Sequence, residues 1–211
     1  MTFFDLSEPT LPSHSEAVRV PALGGLLSAY LKRWIKAFSA IRLSELDQAF
    51  VIWGLTALLI FSLAQFSTLS WPVQAVLDAA LTGATVAGTS GLTWQIAEIA
   101  ELRWVVFLWA VLMSLGMVVT AYGIFCSVGF ILINLCPLWL GLCALGYLAM
   151  AVGMRSRCFA ACSLVHGLAI TGLTFHPGWQ FFTSGLVMAL TLFFFSIVPW
   201  DMREVTDSEP C

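Results

Sequence analysis

Long apolar stretches separated by short polar breaks dominate the chain. Each has close to the 20 or so residues that a helix needs to cross the hydrocarbon core of a bilayer, and they lie at 49–67, 104–125, 128–152, 158–175 and 180–199. This pattern predicts five membrane spans. A sixth stretch, 71–94, is long enough but contains Asp78 and many Gly, Ser and Thr residues, so hydropathy leaves open whether it crosses or is re-entrant.

The basic residues favour one of these two topologies. Cytoplasmic flanks of membrane proteins carry the excess of Lys and Arg. If 71–94 crosses, all nine basic residues lie on one side, whereas a re-entrant segment moves Arg103, Arg155, Arg157 and Arg203 to the other side. The sequence therefore predicts an all-α bundle of six transmembrane helices over 44–200, with both termini in the cytoplasm.

Composition supports a membrane protein and excludes other classes. The chain is 60% hydrophobic and 10% charged, with a mean hydropathy of +0.93, whereas about 25% of residues are charged in soluble domains. The net charge of -3 offers no basic surface for nucleic acid. We therefore expect the lipid bilayer as the surroundings and no nucleic-acid partner.

The segments outside the predicted spans are short. Residues 1–25 are polar and rich in Pro, which predicts a disordered cytoplasmic tail, and 201–211 is a second, acidic cytoplasmic tail. Between them, 26–43 has apolar residues at helical spacing with Lys32, Arg33 and Lys36 interspersed, a pattern typical of an amphipathic interfacial helix. These cations either anchor the chain at the membrane surface or dock it on anionic lipid or an acidic partner.

A polar stripe marks the second predicted span. Its members follow one another at steps of four or three residues and so share one helical face: Asp78, Thr82, Thr85, Thr89 and Thr93. Small residues at 84, 88, 87 and 91 have the spacing that lets membrane helices approach closely, which predicts a central position for this span. The stripe is either an ion pathway or a contact between helices, because an intramembrane acid is a candidate functional group.

Residues 78–92 resemble the pore helix and filter of potassium-uptake proteins of the Trk and Ktr type. In such filters, backbone carbonyls replace the hydration shell of the ion. The resemblance implies a re-entrant segment after the first span and a cation transporter or channel as an alternative function.

Other polar residues within the spans are few. His166, in the fifth span, either forms an interhelical hydrogen bond, with Asn134 or a backbone carbonyl, or serves as the single axial ligand of a pigment. Pro137 predicts a kink in the fourth span. The six cysteines lack the spacing of a zinc site, so we expect them to act as packing residues, with no metal and no other cofactor.

Three segments, 135–147, 153–157 and 178–180, resemble an uncharacterised family of small cyanobacterial multispanning membrane proteins. The resemblance implies a plasma or thylakoid membrane location and supplies no catalytic residues. The predicted function is that of a non-enzymatic accessory or assembly subunit of a larger membrane complex, photosynthetic or respiratory, with other membrane subunits as partners. The alternative is a cation transporter lined by the second span.

Overall fold

A computed structural model describes residues 44–99 and 102–197, and side chains for all of these except 95–99. Within these residues the regular structure is helical, as predicted. There are seven α-helices, with one 3-10 turn at Pro177–Trp179 before the last: α1 Glu45–Phe66, α2 Trp71–Ile99, α3 Arg103–Phe125, α4 Gly129–Ile133, α5 Leu135–Gly153, α6 Arg157–Leu173 and α7 Gln180–Ile197.

Four helices are long and apolar enough to cross a membrane: α1, α3, α5 and α7 with its preceding turn. The prediction of a multispanning all-α protein is confirmed, but four spans meet these requirements rather than six. The apolar helix α6 has 17 residues and is about 26 Å long, shorter than a hydrocarbon core of about 30 Å. Helix α2 has 29 residues and is long enough, but its Asp, Gln, Thr and Gly residues lower its hydropathy.

The six longer helices nevertheless run alternately between two ends of the bundle. We call the end that holds Arg103, Arg155 and Arg157 the arginine end. There, a Cβ added to Gly153 at the end of α5 would lie 2.6 Å from the ring of Trp104 at the start of α3. At the opposite end, the Gln65 amide of α1 donates to the Gly178 carbonyl before α7, at 2.9 Å.

The arginine end also holds the start of α1 and the end of α7, since the rings of Phe50 and Phe195 lie 5.5 Å apart. Grouping of the described arginines at one end agrees with the expected charge partition. The predicted tails 1–25 and 201–211 and the interfacial helix 26–43, with Lys32, Arg33 and Lys36, lie outside the described residues.

Helix α2 lies at the edge of the bundle, so the prediction of a central position is wrong. It packs mainly against α1 and α3. A Cβ added to Gly83, Gly88 or Gly91 would meet no atom within 4 Å, so none of the described helices approaches its small residues. Spacing showed which residues share a face, but it did not show that a neighbour covers that face.

The fourth predicted span, 128–152, is divided into α4 and α5. The break lies at Asn134, three residues before Pro137. Pro137 therefore occupies the first turn of α5, where a backbone N–H has no partner within the helix and its loss costs little. The expected distortion is present as a helix break upstream of the proline.

The main core lies where α5, α6 and α7 meet α1. Tyr147 is at its centre, with its ring 5.1 Å from that of His166 and 5.8 Å from that of Phe195. Helices α1 and α7 pack closely because Gly185 of α7 faces Phe61 of α1; an added Cβ would lie 2.5 Å from the Phe61 Cβ.

Candidate functional site

The polar stripe of α2 faces α1. Thr82, Thr85 and Thr89 are buried, and two side-chain hydrogen bonds join the helices. The indole Nε1–H of Trp53 donates to Thr89 Oγ1 at 3.0 Å, and the hydroxyls of Thr56 and Thr85 share a hydrogen bond of 3.0 Å. Interhelical bonds of this kind help hold membrane helices together.

The threonines also bond along their own helix. Thr89 Oγ1 donates to the Thr85 carbonyl at 2.7 Å, and Thr93 Oγ1 donates to the Thr89 carbonyl at 2.8 Å. The Thr89 hydroxyl thus accepts a hydrogen bond from Trp53 and donates its only proton to the Thr85 carbonyl of its own helix. The hydroxyls of Thr85 and Thr89 therefore contribute to the contact between α1 and α2.

Asp78 lies on the same face of α2 as the threonines, one turn closer than Thr82 to the end of the bundle opposite the arginines. Its carboxylate Oδ1 is buried and has no hydrogen-bond partner within the described part of the chain. One helical turn earlier, Gln74 is also buried on the same face; the sequence analysis missed it, although its spacing of four from Asp78 was visible. A buried carboxylate oxygen without a hydrogen bond is costly, so Asp78 is the candidate ionisable group of α2.

Residues 88–91 lie within the continuous helix α2. In a helix interior, backbone carbonyls accept from amides four residues later and do not point together as they do in an ion filter. The re-entrant segment implied by the resemblance to potassium-uptake proteins is therefore not what this chain forms.

His166 is fully buried. Its Nδ1 lies 2.9 Å from the carbonyl oxygen of Cys162 on the same helix, and because a carbonyl only accepts, Nδ1 carries the proton. Nε2 then holds the lone pair of the neutral ring, and within the described part of the chain it has no hydrogen-bond partner. This hydrogen bond lies within α6, whereas the sequence analysis expected an interhelical one.

Asn134 does not reach His166. Its Nδ2 donates to the Phe130 carbonyl at 2.8 Å, which satisfies a backbone group at the break between α4 and α5. The imidazole of His166 is enclosed by protein on all sides, whereas a tetrapyrrole needs an open face beside its ligand. The enclosure favours packing against Tyr147 over the pigment interpretation.

Four cysteines line the core near these residues. Cys136, Cys143, Cys158 and Cys162 are buried, whereas Cys126 is exposed. Cys158 and Cys162 stand at steps of four from each other and from His166 on α6, a regularity that the sequence analysis treated only as packing. Among the described residues, no group of three or more His, Cys, Asp or Glu side chains is placed to hold a metal ion.

These features define an α-helical protein with four helices long and apolar enough to cross a membrane, in which some polar side chains bond along their own helix and others join neighbouring helices. Comparison of the chain with protein-family models, with curated proteins and with solved structures found no match.

Proposed function

We propose that this protein is a non-enzymatic accessory or assembly subunit of a larger membrane complex, and that α2 receives a transmembrane helix of a partner subunit. The observation that carries the proposal is the outward face of α2, which we call the small-residue face. It consists of exposed residues that lie on one side of the helix: Ala80, Gly83, Ala84, Ala87, Gly88 and Gly91.

This face differs from the other exposed surfaces of the bundle. The outward positions of α1, α3 and α6 carry large apolar side chains, as at Leu55, Val111 and Leu164. Large side chains suit contact with lipid, whereas small residues at a spacing of four allow two helix backbones to approach closely and gain dispersion contacts. The small-residue face is therefore built for a helix rather than for lipid.

The topology that goes with this proposal has six crossings. Helices α2 and α6 run between the same two ends as the four apolar helices, and α2 can tolerate low hydropathy because its polar face meets α1 and its small-residue face meets a partner. The resemblance to small cyanobacterial membrane proteins extends the proposal to a photosynthetic or respiratory complex of a plasma or thylakoid membrane. Both termini then lie in the cytoplasm.

Substitution of Gly88 by Leu tests the proposal. The site has open space within the chain, so the fold accommodates the side chain, but a partner helix is pushed away. After gentle solubilisation of native membranes, we expect the wild type in a large complex and Gly88→Leu as the free subunit in native gels. Gly167→Leu, at an exposed and equally open position of α6, should stay in the complex.

Equal complex size for wild type and Gly88→Leu would contradict the proposal, as would equal disruption by both substitutions. Photocrosslinking gives an independent result. A crosslinking residue at position 87 should capture a partner polypeptide of defined mass, whereas one at position 168, exposed on α6, should capture lipid.

A second candidate function is cation transport along α2, and the unpaired Oδ1 of Asp78 favours it. Asp78→Asn removes the charge at nearly constant volume. In reconstituted vesicles, this substitution should abolish ion flux if α2 is a pathway, and it should leave complex size unchanged if α2 is a docking helix. Flux by the wild type that is lost in Asp78→Asn would establish transport.

A further inference from the structure

The main buried cluster is unusually rich in sulfur. It contains 14 buried residues, of which half carry sulfur: Cys136, Cys143, Cys158, Cys162, Met150, Met154 and Met188. Thiols and thioethers are soft, polarisable groups. Their concentration in one cluster makes the interior of this bundle chemically suited to a soft cation.

Two of these thiols form a pair. Cys158 and Cys162 stand one turn apart on the same face of α6, near its start, and both are buried in this cluster. Cys143 of α5 belongs to the same buried cluster. The pair is thus held on one helix, and a third thiol of the cluster comes from the neighbouring helix.

The position of the pair suits negative charge. Cys158 is the second residue of α6, and the Ser156 side chain caps the helix by accepting from the Phe159 amide. The N-terminus of a helix stabilises an anion. Arg155 and Arg157, which flank the cap, add positive charge at this end of the bundle, and the same end offers solvent to receive protons.

We propose that Cys158 and Cys162 bind one Cu(I) ion. Each thiol loses its proton to solvent, two sulfur–copper bonds form, and copper stays in the monovalent state, so the site gains a net charge of −1 and needs no oxidant. Thiolates select Cu(I) over harder cations. Two ligands suit Cu(I), which accepts linear coordination, whereas structural Zn²⁺ requires four ligands.

The full-length protein, purified without oxygen in detergent, can be titrated with Cu(I) against a chromophoric competitor. We expect one tightly bound Cu(I) per chain, and affinity at least a hundredfold weaker in Cys158→Ala/Cys162→Ala. Cys126→Ala removes an exposed thiol at the opposite end and should bind as the wild type does. Zn²⁺ in tenfold excess should not displace the copper; displacement would overturn the assignment.

Alkylation of the wild type provides a test that does not depend on how the variants fold. The folded protein in detergent, with or without one equivalent of Cu(I), is treated with a small alkylating reagent, and the rate of reaction at each cysteine is followed by mass spectrometry. We expect Cu(I) to slow the reaction of Cys158 and Cys162 and to leave the rates at Cys126 and Cys136 unchanged. Protection of other cysteines, or the same copper affinity in wild type and double variant, would refute the proposal.

Discussion

The contact between α1 and α7 gives the sharpest test of the packing. Gly185 is buried in α7, and a Cβ added there would lie 2.5 Å from the Phe61 Cβ and 3.4 Å from the Ala57 carbonyl oxygen. Both atoms are fixed to the backbone of α1. Gly185→Ala therefore requires the two helices to move apart, because no rotation of a side chain relieves the contact.

The expected effect has two opposing parts. Overpacking of a close contact costs about 1–3 kcal/mol, while Ala in place of Gly in a helix gains about 0.5–1 kcal/mol. The net expectation for Gly185→Ala is a loss of about 0–2.5 kcal/mol in the free energy of unfolding. Gly167→Ala is the matched control, because its added Cβ meets nothing within 4 Å. This variant should show only the gain in stability from replacing Gly by Ala in a helix.

Gly54→Ala should fall between these two variants. Its added Cβ would lie 2.6 Å from Cε1 of Phe193, which is an atom of a ring that can rotate away. Equilibrium unfolding in mixed micelles of a mild detergent and dodecyl sulfate, followed by circular dichroism, measures the order. If Gly185→Ala unfolds at the same dodecyl sulfate fraction as Gly167→Ala, or at a higher one, the close approach of α1 and α7 is wrong.

Three further predictions use the same preparation. A double-mutant cycle of Trp53→Phe and Thr89→Val should give a coupling energy of about 0.6 kcal/mol, typical of interhelical bonds in membranes, and zero coupling would refute the observed bond. Ser44→Ala removes the side chain that caps α1 and should lower stability by about 1 kcal/mol, with the loss of helix amides from hydrogen-exchange protection confined to the first turn. In intact cells, an impermeant maleimide should label Cys126 but not a cysteine placed at Arg155; labelling of both from outside would contradict the topology.

The positions of the helices could be read from the sequence. The boundaries of α3 and α7 agree with the predicted spans to within a few residues, because the length of an apolar run is set by the bilayer and ends at turn residues such as Ser127 and Gly178. Periodicity also placed the threonines of α2 on one face, and three of them, Thr82, Thr85 and Thr89, are buried in the structure. Both conclusions depend only on local periodicity.

Partners between helices could not be read in the same way. Spacing placed Thr85 and Thr89 on one face of α2, but it gave no means of choosing Thr56 and Trp53 among all the polar groups of the other helices. For His166, periodicity left open whether the ring bonds to another helix or to its own, and only the distance to the Cys162 carbonyl shows that the bond stays within α6. Tertiary contacts between distant residues need coordinates, because periodicity fixes an angle around one helix axis and nothing about the next helix.

The low hydropathy of α2 and its position at the edge of the bundle have one physical explanation. A helix surrounded by lipid needs large apolar residues all round, and α2 lacks them on both faces. On its threonine face, Thr85 and Thr89 form hydrogen bonds to α1, which offset the cost of polarity at these two positions. The small-residue face is open and gains little from lipid, but it gains close backbone contact if a second helix covers it. One face of α2 is too polar for lipid, and the side chains of the other face are too small to gain much from it. Such a helix is stable across a membrane when a neighbouring helix covers each face. This chain supplies one of these neighbours, α1.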